Sequence, residues 1–459
     1  MKFYIDQHGC AKNQVDGEEL VARLEAEGHE YVGEGAQADL IIVNTCGFIE
    51  SAKRESIDAI IGIKSQWPDK KVLVAGCLAQ RYPGELIGDM AEADGIFGNA
   101  DLSLVGKAAG LTMRGERPAI APAQPGFIDT RFYKRKRLFD FPGVAHVKIT
   151  EGCGNRCTYC AIPLIRGELR SRSIEDVVDE CRALVGSGIH EINLIGQDLG
   201  AYGDDLRTRP ETAAGHEGAE GGAASAGPDL PALLGELSSL EGDFRIRVLY
   251  IHPDHFPSGI LDVMAGDPRI LPYFDLPFQH ASEPLLKAMN RKGSSWKYLD
   301  LVATIRAALP ESMIRSTFLV GFPGETDEDF KVLRDFQDEA RLDWLGVFTY
   351  SREEGTPAYS MKGRVAKKLA VLRKNLVESA QEAITSARLQ RFIGAEVEVI
   401  AEEPVEGSPL TLGRAWMQAP DVDGLTVLKM NLAPGERRRA RIVAVNGVDF
   451  EAEPIGDGD

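Results

Sequence analysis

The stretch "CGNRCTYC", Cys153–Cys160, places three of the chain's seven cysteines within eight residues. It follows "AHVKITEG", a strand pattern, so the cysteines leave the carboxyl end of a strand. A structural zinc site takes four ligands. A disulfide takes two and an oxidising compartment. Three thiolates on one loop suit a cubane [4Fe–4S] cluster whose fourth iron stays open to a small molecule. Zinc is the alternative, but it requires a fourth ligand close by, and His146 and His190 do not stand at finger-like spacing. Unligated core cysteines are the remaining reading.

Outward from this loop the pattern repeats. From Val144, "AHVKITEGC", "EINLIGQD", "RIRVLYIHP", "YFDLPFQH", "MIRSTFLVGF" and "WLGVFTYS" read as strands separated by helical runs such as "SIEDVVDECRALVGSG". Six βα repeats predict a partial or open relative of the (β/α) barrel, whose post-strand loops build the site. Residues 207–229, Gly- and Ala-rich, read as a disordered surface insertion. Upstream, residues 1–105 alternate strand and helix, which predicts a doubly wound parallel α/β domain. Downstream, a charged helix over 364–391 leads to short strands from Phe392, a small all-β barrel. The expected organisation is an α/β multidomain chain: 1–110, a Pro-rich then basic linker 111–142, 143–375, a connecting helix 376–391, and 392–459.

Bulk properties narrow the function classes. The 459 residues carry a net charge of -18, which disfavours a surface that grips nucleic acid throughout and suits a basic protein partner. No run is long and apolar enough to span a bilayer, and the N-terminus lacks a signal peptide's apolar core. These features predict a cytoplasmic chain without membrane contact, where reduced thiols act as metal ligands or catalytic groups.

Cys10, Cys46 and Cys77 are distant in sequence, yet each falls at the carboxyl end of one predicted N-terminal strand. In an open parallel sheet such ends lie side by side on the ligand-binding edge. They read as a second trio of cluster ligands; the alternative is three buried small apolar residues. Cys181 falls on the apolar face of a predicted helix and reads as core.

C-x3-C-x2-C with an aromatic residue, Tyr159, before the last cysteine resembles the signature of the radical S-adenosylmethionine enzymes. That resemblance implies that Cys153, Cys157 and Cys160 hold a [4Fe–4S] cluster whose open iron chelates S-adenosylmethionine. It also implies contacts to that cofactor from Tyr159, Gly196 and Gln197, although "LIGQD" reads equally as a glycine-bearing strand end. "GCAKNQVDGE", "NTCGFIESAKRES", "GCLAQRY", "EGCGNRCTYCAIPLIRGELRSRS", "LPFQHASEPLLKAMNR" and "LVGFPGETDEDF" resemble, in order, blocks of the methylthiotransferases within that superfamily. The resemblance covers nearly the whole chain. It implies an auxiliary [4Fe–4S] cluster on Cys10, Cys46 and Cys77, a C-terminal TRAM barrel, a sulfur donor, and an electron donor such as flavodoxin or ferredoxin.

The family has two branches. MiaB-like members methylthiolate isopentenyl adenosine in transfer RNA. RimO-like members methylthiolate the β-carbon of an aspartate in small-subunit ribosomal protein twelve. "GQDLGAYGDD", "FTYSREEGTPAY" and "GRAWMQAPDVDG" resemble the second branch. "AKNQVD" after Cys10 departs from its common Pro and Leu while leaving the cysteine in place. From Phe392 onward 13 acidic residues face 6 basic ones, so the expected partner is the basic ribosomal protein, held by the barrel, rather than transfer RNA. The basic runs "KRKR" (134–137) and "RRRAR" (437–441) speak for RNA, but such runs are more often solvated faces or turn ends.

Overall fold

A computed structural model describes residues 1–123, 135–208 and 227–456 of the chain. The N-terminal sheet is six-stranded and parallel in the order β2-β1-β3-β4-β5-β6: Lys2–Gln7 (β1), Glu30–Tyr31 (β2), Leu40–Thr45 (β3), Lys71–Gly76 (β4), Gly95–Gly98 (β5) and Ala119–Ile120 (β6). Central β3, "LIIVNT", is buried along its whole length because helices cover both faces. Leu40 and Ile42 face the helices Ala11–Ala26 and Val105–Met113, and Ile41 and Val43 face Glu50–Gln66, so the period-2 alternation of the strand divides its side chains between two cores.

The second sheet holds six parallel strands in the order β14-β13-β12-β11-β10-β7. They are Val144–Lys148 (β7), Glu191–Ile195 (β10), Arg245–Val248 (β11), Ile270–Asp275 (β12), Met313–Val320 (β13) and Trp344–Thr349 (β14). A short hairpin of Thr150–Glu151 (β8) and Arg170–Ser171 (β9) brackets the cysteine loop. The sheet does not close, so this is the expected partial (β/α)6 barrel. Its outer face, including Val147, Leu194, Val248 and Phe274, buries against the helices. Its inner face carries Ile195, Leu249, Tyr273, Met313 and Trp344, which pack on the C-terminal domain.

That domain is a closed barrel, β15-β16-β17-β19-β18, of Glu396–Pro404 (β15), Thr411–Arg414 (β16), Thr426–Leu428 (β17), Arg437–Asn446 (β18) and Asp449–Pro454 (β19). Polar groups pin it to the sheet. Trp344 Nε1 donates to Met417 O at 2.9 Å, Tyr273 donates to Asp423 at 2.6 Å, and Arg414 reaches Glu191 at 3.0 Å.

The linker and the two basic runs take definite places in the fold. Within the expected linker 111–142, the first residues complete the helix Val105–Met113, and Ala119–Ile120 adds edge strand β6, because an open parallel sheet offers an unpaired edge. Within the basic run there, Arg135 is no solvated residue, whereas Lys136 and Arg137 are exposed. Arg135 is buried between Glu18 and Glu180, with Nη2 at 2.6 Å from Glu180, while Arg137 pairs with Glu25 at 3.0 Å. "RRRAR" is a solvated face that opens β18: Arg437, Arg439 and Arg441 are exposed, and Arg439 and Arg441 both pair with Glu396 across the β15 ladder. The proposed disordered insertion falls on 209–226, outside the described residues; at its margins Arg207 lies in the helix Asp204–Thr208 and Asp229 caps the helix Leu230–Ser238.

Two cysteine trios at one domain junction

β1, β3 and β4 are neighbours in the sheet, and Cys10, Cys46 and Cys77 follow their carboxyl ends. Glycines permit the convergence. Gly9 and Gly76 both adopt positive φ (+91° and +92°), and a Cβ on Gly9 would lie 3.0 Å from Cys46 Cβ. A Cβ on Gly76 would lie 2.5 Å from Asn44 Oδ1 and 2.7 Å from Thr45 O. Asn13 ties the three loops together: its Nδ2 donates to His8 O at 2.7 Å and to Asn44 O and Thr45 O at 3.3 Å, while its Oδ1 lies 3.8 Å from Cys77 Sγ.

The second trio is held by backbone bonds. Cys153 N donates to Gly167 O at 3.0 Å, Cys160 N to Cys157 O at 3.0 Å, and Thr158 N to Met289 O at 3.1 Å. Arg156, in the left-handed region at φ +50°, turns the loop, and Asn290 Nδ2 closes it by donating to Asn155 O and Arg156 O. Asn155 also donates to Asp198 at 2.8 Å, and Asp198 accepts from His252 N and pairs with His255 Nδ1. Asp198, His255 and Arg291, whose Nη1 lies 3.9 Å from Cys157 Sγ, were not singled out from sequence. Asp198 stands directly after "LIGQ", so the motif itself was the available signal.

The residues expected around S-adenosylmethionine have the following neighbours. The Tyr159 ring packs edge-on to Phe322 at 6.5 Å in an apolar cluster with Leu285, Met289 and Met361. At Gly196 a Cβ would overlap Thr150 Oγ1, the close approach of a strand-end glycine. Gln197 donates to Glu151 at 3.5 Å. Cys181 lies in the main core.

All seven cysteines are free thiols. Burial pushes Cys77 up to about 12 and Cys153 up to about 12. At Cys10 desolvation opposes ionisation, but Lys12 and Arg166 outweigh it and hold the thiol below its ordinary value. Soft thiols in threes, with N–H donors directed at their sulfurs, fit iron–sulfur clusters. Asn99 Nδ2 and Arg166 Nη2 each lie 3.4 Å from Cys77 Sγ in the first trio, and Arg291 Nη1 lies 3.9 Å from Cys157 Sγ in the second. Among the described residues no three His, Cys, Asp or Glu side chains gather closely enough for a single metal ion; a cubane instead takes each thiolate on a different iron.

The trios adjoin each other. Cys77 packs with Ala161 and Ile165, which follow Cys160. Curated relatives match the chain along nearly its full length. "Ribosomal protein uS12 methylthiotransferase RimO" of Treponema denticola is 46% identical, covering 98% of this chain and 100% of that protein. The same-named protein of Geobacter sulfurreducens is 39% identical over 97% of each. The chain belongs to the RimO family of radical S-adenosylmethionine methylthiotransferases. Members of this family use S-adenosylmethionine and [4Fe–4S] clusters. Three family descriptions match in order: "Uncharacterized protein family UPF0004" over 2–98, "Radical SAM superfamily" over 147–336 and "TRAM domain" over 393–455. Among solved structures, the radical S-adenosylmethionine methyltransferase TsrM of Kitasatospora setae, with cobalamin and a [4Fe–4S] cluster bound, superposes with a TM-score of 0.56 at 16% identity, covering 78% of this chain and 73% of that one. That likeness concerns the fold. Among the described residues no helix is long and apolar enough to cross a membrane.

Proposed function

We propose that this chain attaches a methylthio group to the β-carbon of an aspartate in small-subunit ribosomal protein uS12, with Cys153, Cys157 and Cys160 holding the radical-generating cluster and Cys10, Cys46 and Cys77 the auxiliary one. The observation that carries the reading is the junction: two thiol trios from different domains meet through the helix Ile162–Arg166. When bound, the clusters and S-adenosylmethionine supply the one-electron chemistry that an unactivated C–H bond requires, since acid–base side chains cannot remove such a hydrogen at neutral pH. The chain's own part is positional. Asp198 and Asn290 fix the loop of the second trio, and Asn13 fixes the first. Gln197, with an unpartnered buried Oε1, is the polar group of the expected three best placed to meet a charged amine.

The C-terminal barrel is the substrate-binding module in this reading, and the cytoplasm the compartment. Not all of its acidity is available: Asp423 and Glu402 are buried against Arg315 and Arg414. Exposed Glu403, Glu406, Asp421 and Glu436 remain for a basic protein. A sulfur donor and a low-potential electron donor such as flavodoxin or ferredoxin complete the reaction.

The test is the intact mass of uS12 from cells with and without the gene. A difference of about 46 Da, hydrogen replaced by methylthio, is expected. Identical masses would sink the protein substrate. Replacing Cys153 with Ala is expected to abolish 5′-deoxyadenosine formation. Replacing Cys46 with Ala is expected to stop methylthio transfer while sparing some of that cleavage; retained transfer would remove Cys46 from the auxiliary site.

A further inference from the structure

Four charges, three of them buried and Lys148 partly so, lie between the two trios. Arg166 ends the short helix that follows Cys160. Its Nη1 donates to Glu151 at 2.8 Å, and its Nη2 donates to Asp16 at 2.8 Å and points at Cys77 Sγ at 3.4 Å. Lys148 closes the square by pairing with Asp16 and with Glu151, the latter at 2.6 Å. Asp16 belongs to the helix that follows Cys10, and Glu151 stands two residues before Cys153. The side chains of Arg166 and Asp16 are each only 2% exposed.

Two cations and two carboxylates would balance on their own, and a domain clasp needs no more. The geometry shows an additional feature. The guanidinium is shared, and one of its nitrogens faces the sulfur of a residue that the preceding reading makes a cluster ligand. Asn99 Nδ2 approaches the same sulfur at 3.4 Å. N–H groups and positive charge directed at a ligating sulfur stabilise the reduced, more negative form of an iron–sulfur centre. In a buried setting this influence is screened little.

We propose that Arg166 is a positioning residue that sets the reduction potential of the Cys10/Cys46/Cys77 centre from within the loop of the other trio, with Asp16 as the opposing charge. The inference rests on the cluster assignment of the preceding subsection. Its consequence is that the loop binding one centre tunes the other, so the order in which the two take an electron is built into the junction.

The test uses the full chain with Cys153, Cys157 and Cys160 replaced by Ala, so that only the first trio can carry a cluster. This parent is expected to bind about four irons with matching sulfide. Its midpoint potential is then read by a redox titration followed by electron paramagnetic resonance. Arg166→Gln is expected to keep the iron and shift the potential to more negative values, with Arg166→Lys shifting less. Asp16→Asn, which frees the guanidinium from its counter-charge, is expected to shift it the opposite way. A general loosening of the junction would not give opposite signs. A parent that binds no iron overturns the cluster assignment together with this inference. An iron-loaded parent whose potential is unmoved by Arg166→Gln, or moved in the same direction by both variants, overturns the inference alone. If Arg166→Gln does not load, Asp16→Asn decides: a positive shift supports the role, and no shift or a negative one refutes it.

Discussion

Replacing Arg135 with Met tests whether the basic run before the barrel is an RNA contact or a clamp. The guanidinium bonds Glu18 of the N-terminal domain, Glu180 of the barrel at 2.6 and 3.1 Å, and His146 O at 2.8 Å, with its side chain 4% exposed. Removing one partner of a buried ion pair costs about 3–5 kcal/mol, because the charge left behind has lost its compensation. The lower end applies here. Glu180 keeps Arg172, and Glu18 keeps the Phe139 amide at 2.9 Å. Burial also already holds the Glu18 carboxyl above its ordinary value, which lowers the cost of neutralising it once Arg135 is gone. A loss of about 3 kcal/mol corresponds to a fall in Tm of roughly 6–12 °C for a cooperative unit of this size. Calorimetry of the intact chain measures it. Adding Glu18→Gln to Arg135→Met is expected to cost less than the sum of the two single changes, since one carboxylate then no longer needs a partner. A Tm within 1–2 °C of the parent, or strictly additive effects, would refute the clamp. Because the clamp joins the two cysteine-bearing domains, the variant is also expected to lose methylthio transfer more than 5′-deoxyadenosine formation.

Other predictions address the remaining junctions. Arg414 and Arg247 overcome burial to hold Glu191 down to about 2, and His190 and Arg245 overcome it to hold Glu398 down to about 2. A depressed folded-state value means that their stabilisation is present above the ordinary carboxylate pKa and lost as pH falls from about 4.5 towards 2. Tryptophan fluorescence, with Trp344 and Trp416 at this interface, is expected to report separation of the C-terminal barrel in that window, and Glu191→Gln to weaken the dependence. Trp344→Phe removes the bond to Met417 O and is expected to cost about 1–2 kcal/mol in denaturant unfolding, from the unsatisfied carbonyl and lost packing. Gly76→Ala places a Cβ against Asn44 and Thr45 at positive φ, and iron analysis is expected to show the first trio unfilled while the second still loads.

Much of this was legible in the chain itself. The period-2 and period-3.6 patterns gave the alternation of strand and helix, and a parallel sheet orders its carboxyl ends on one edge. That is why Cys10, Cys46 and Cys77 could be grouped before any coordinates, and why Cys181 could be set aside. The short edge strand β6 was not legible, because two residues carry no periodicity. The cofactor contacts were read only as a motif; what the sequence did not show is that Tyr159 packs on Phe322 and that Thr150 leaves no room for a Cβ at Gly196.

The sequence by itself determined the three folding units, the two thiol trios and the acid balance of the last unit, because each depends on local pattern or residue count. Only the tertiary structure decided what the charges do. Arg135, Arg166, Arg247 and Arg414 are ordinary surface residues by composition, yet each is 9% exposed or less for Arg135 and 5% or less for the others. Glu18, Asp16 and Glu191, the partners of Arg135, Arg166 and Arg414, come from remote parts of the chain and from other domains. Pairing across domains has no signature along a sequence, since the desolvation that makes such pairs strong exists only once the domains have closed on one another.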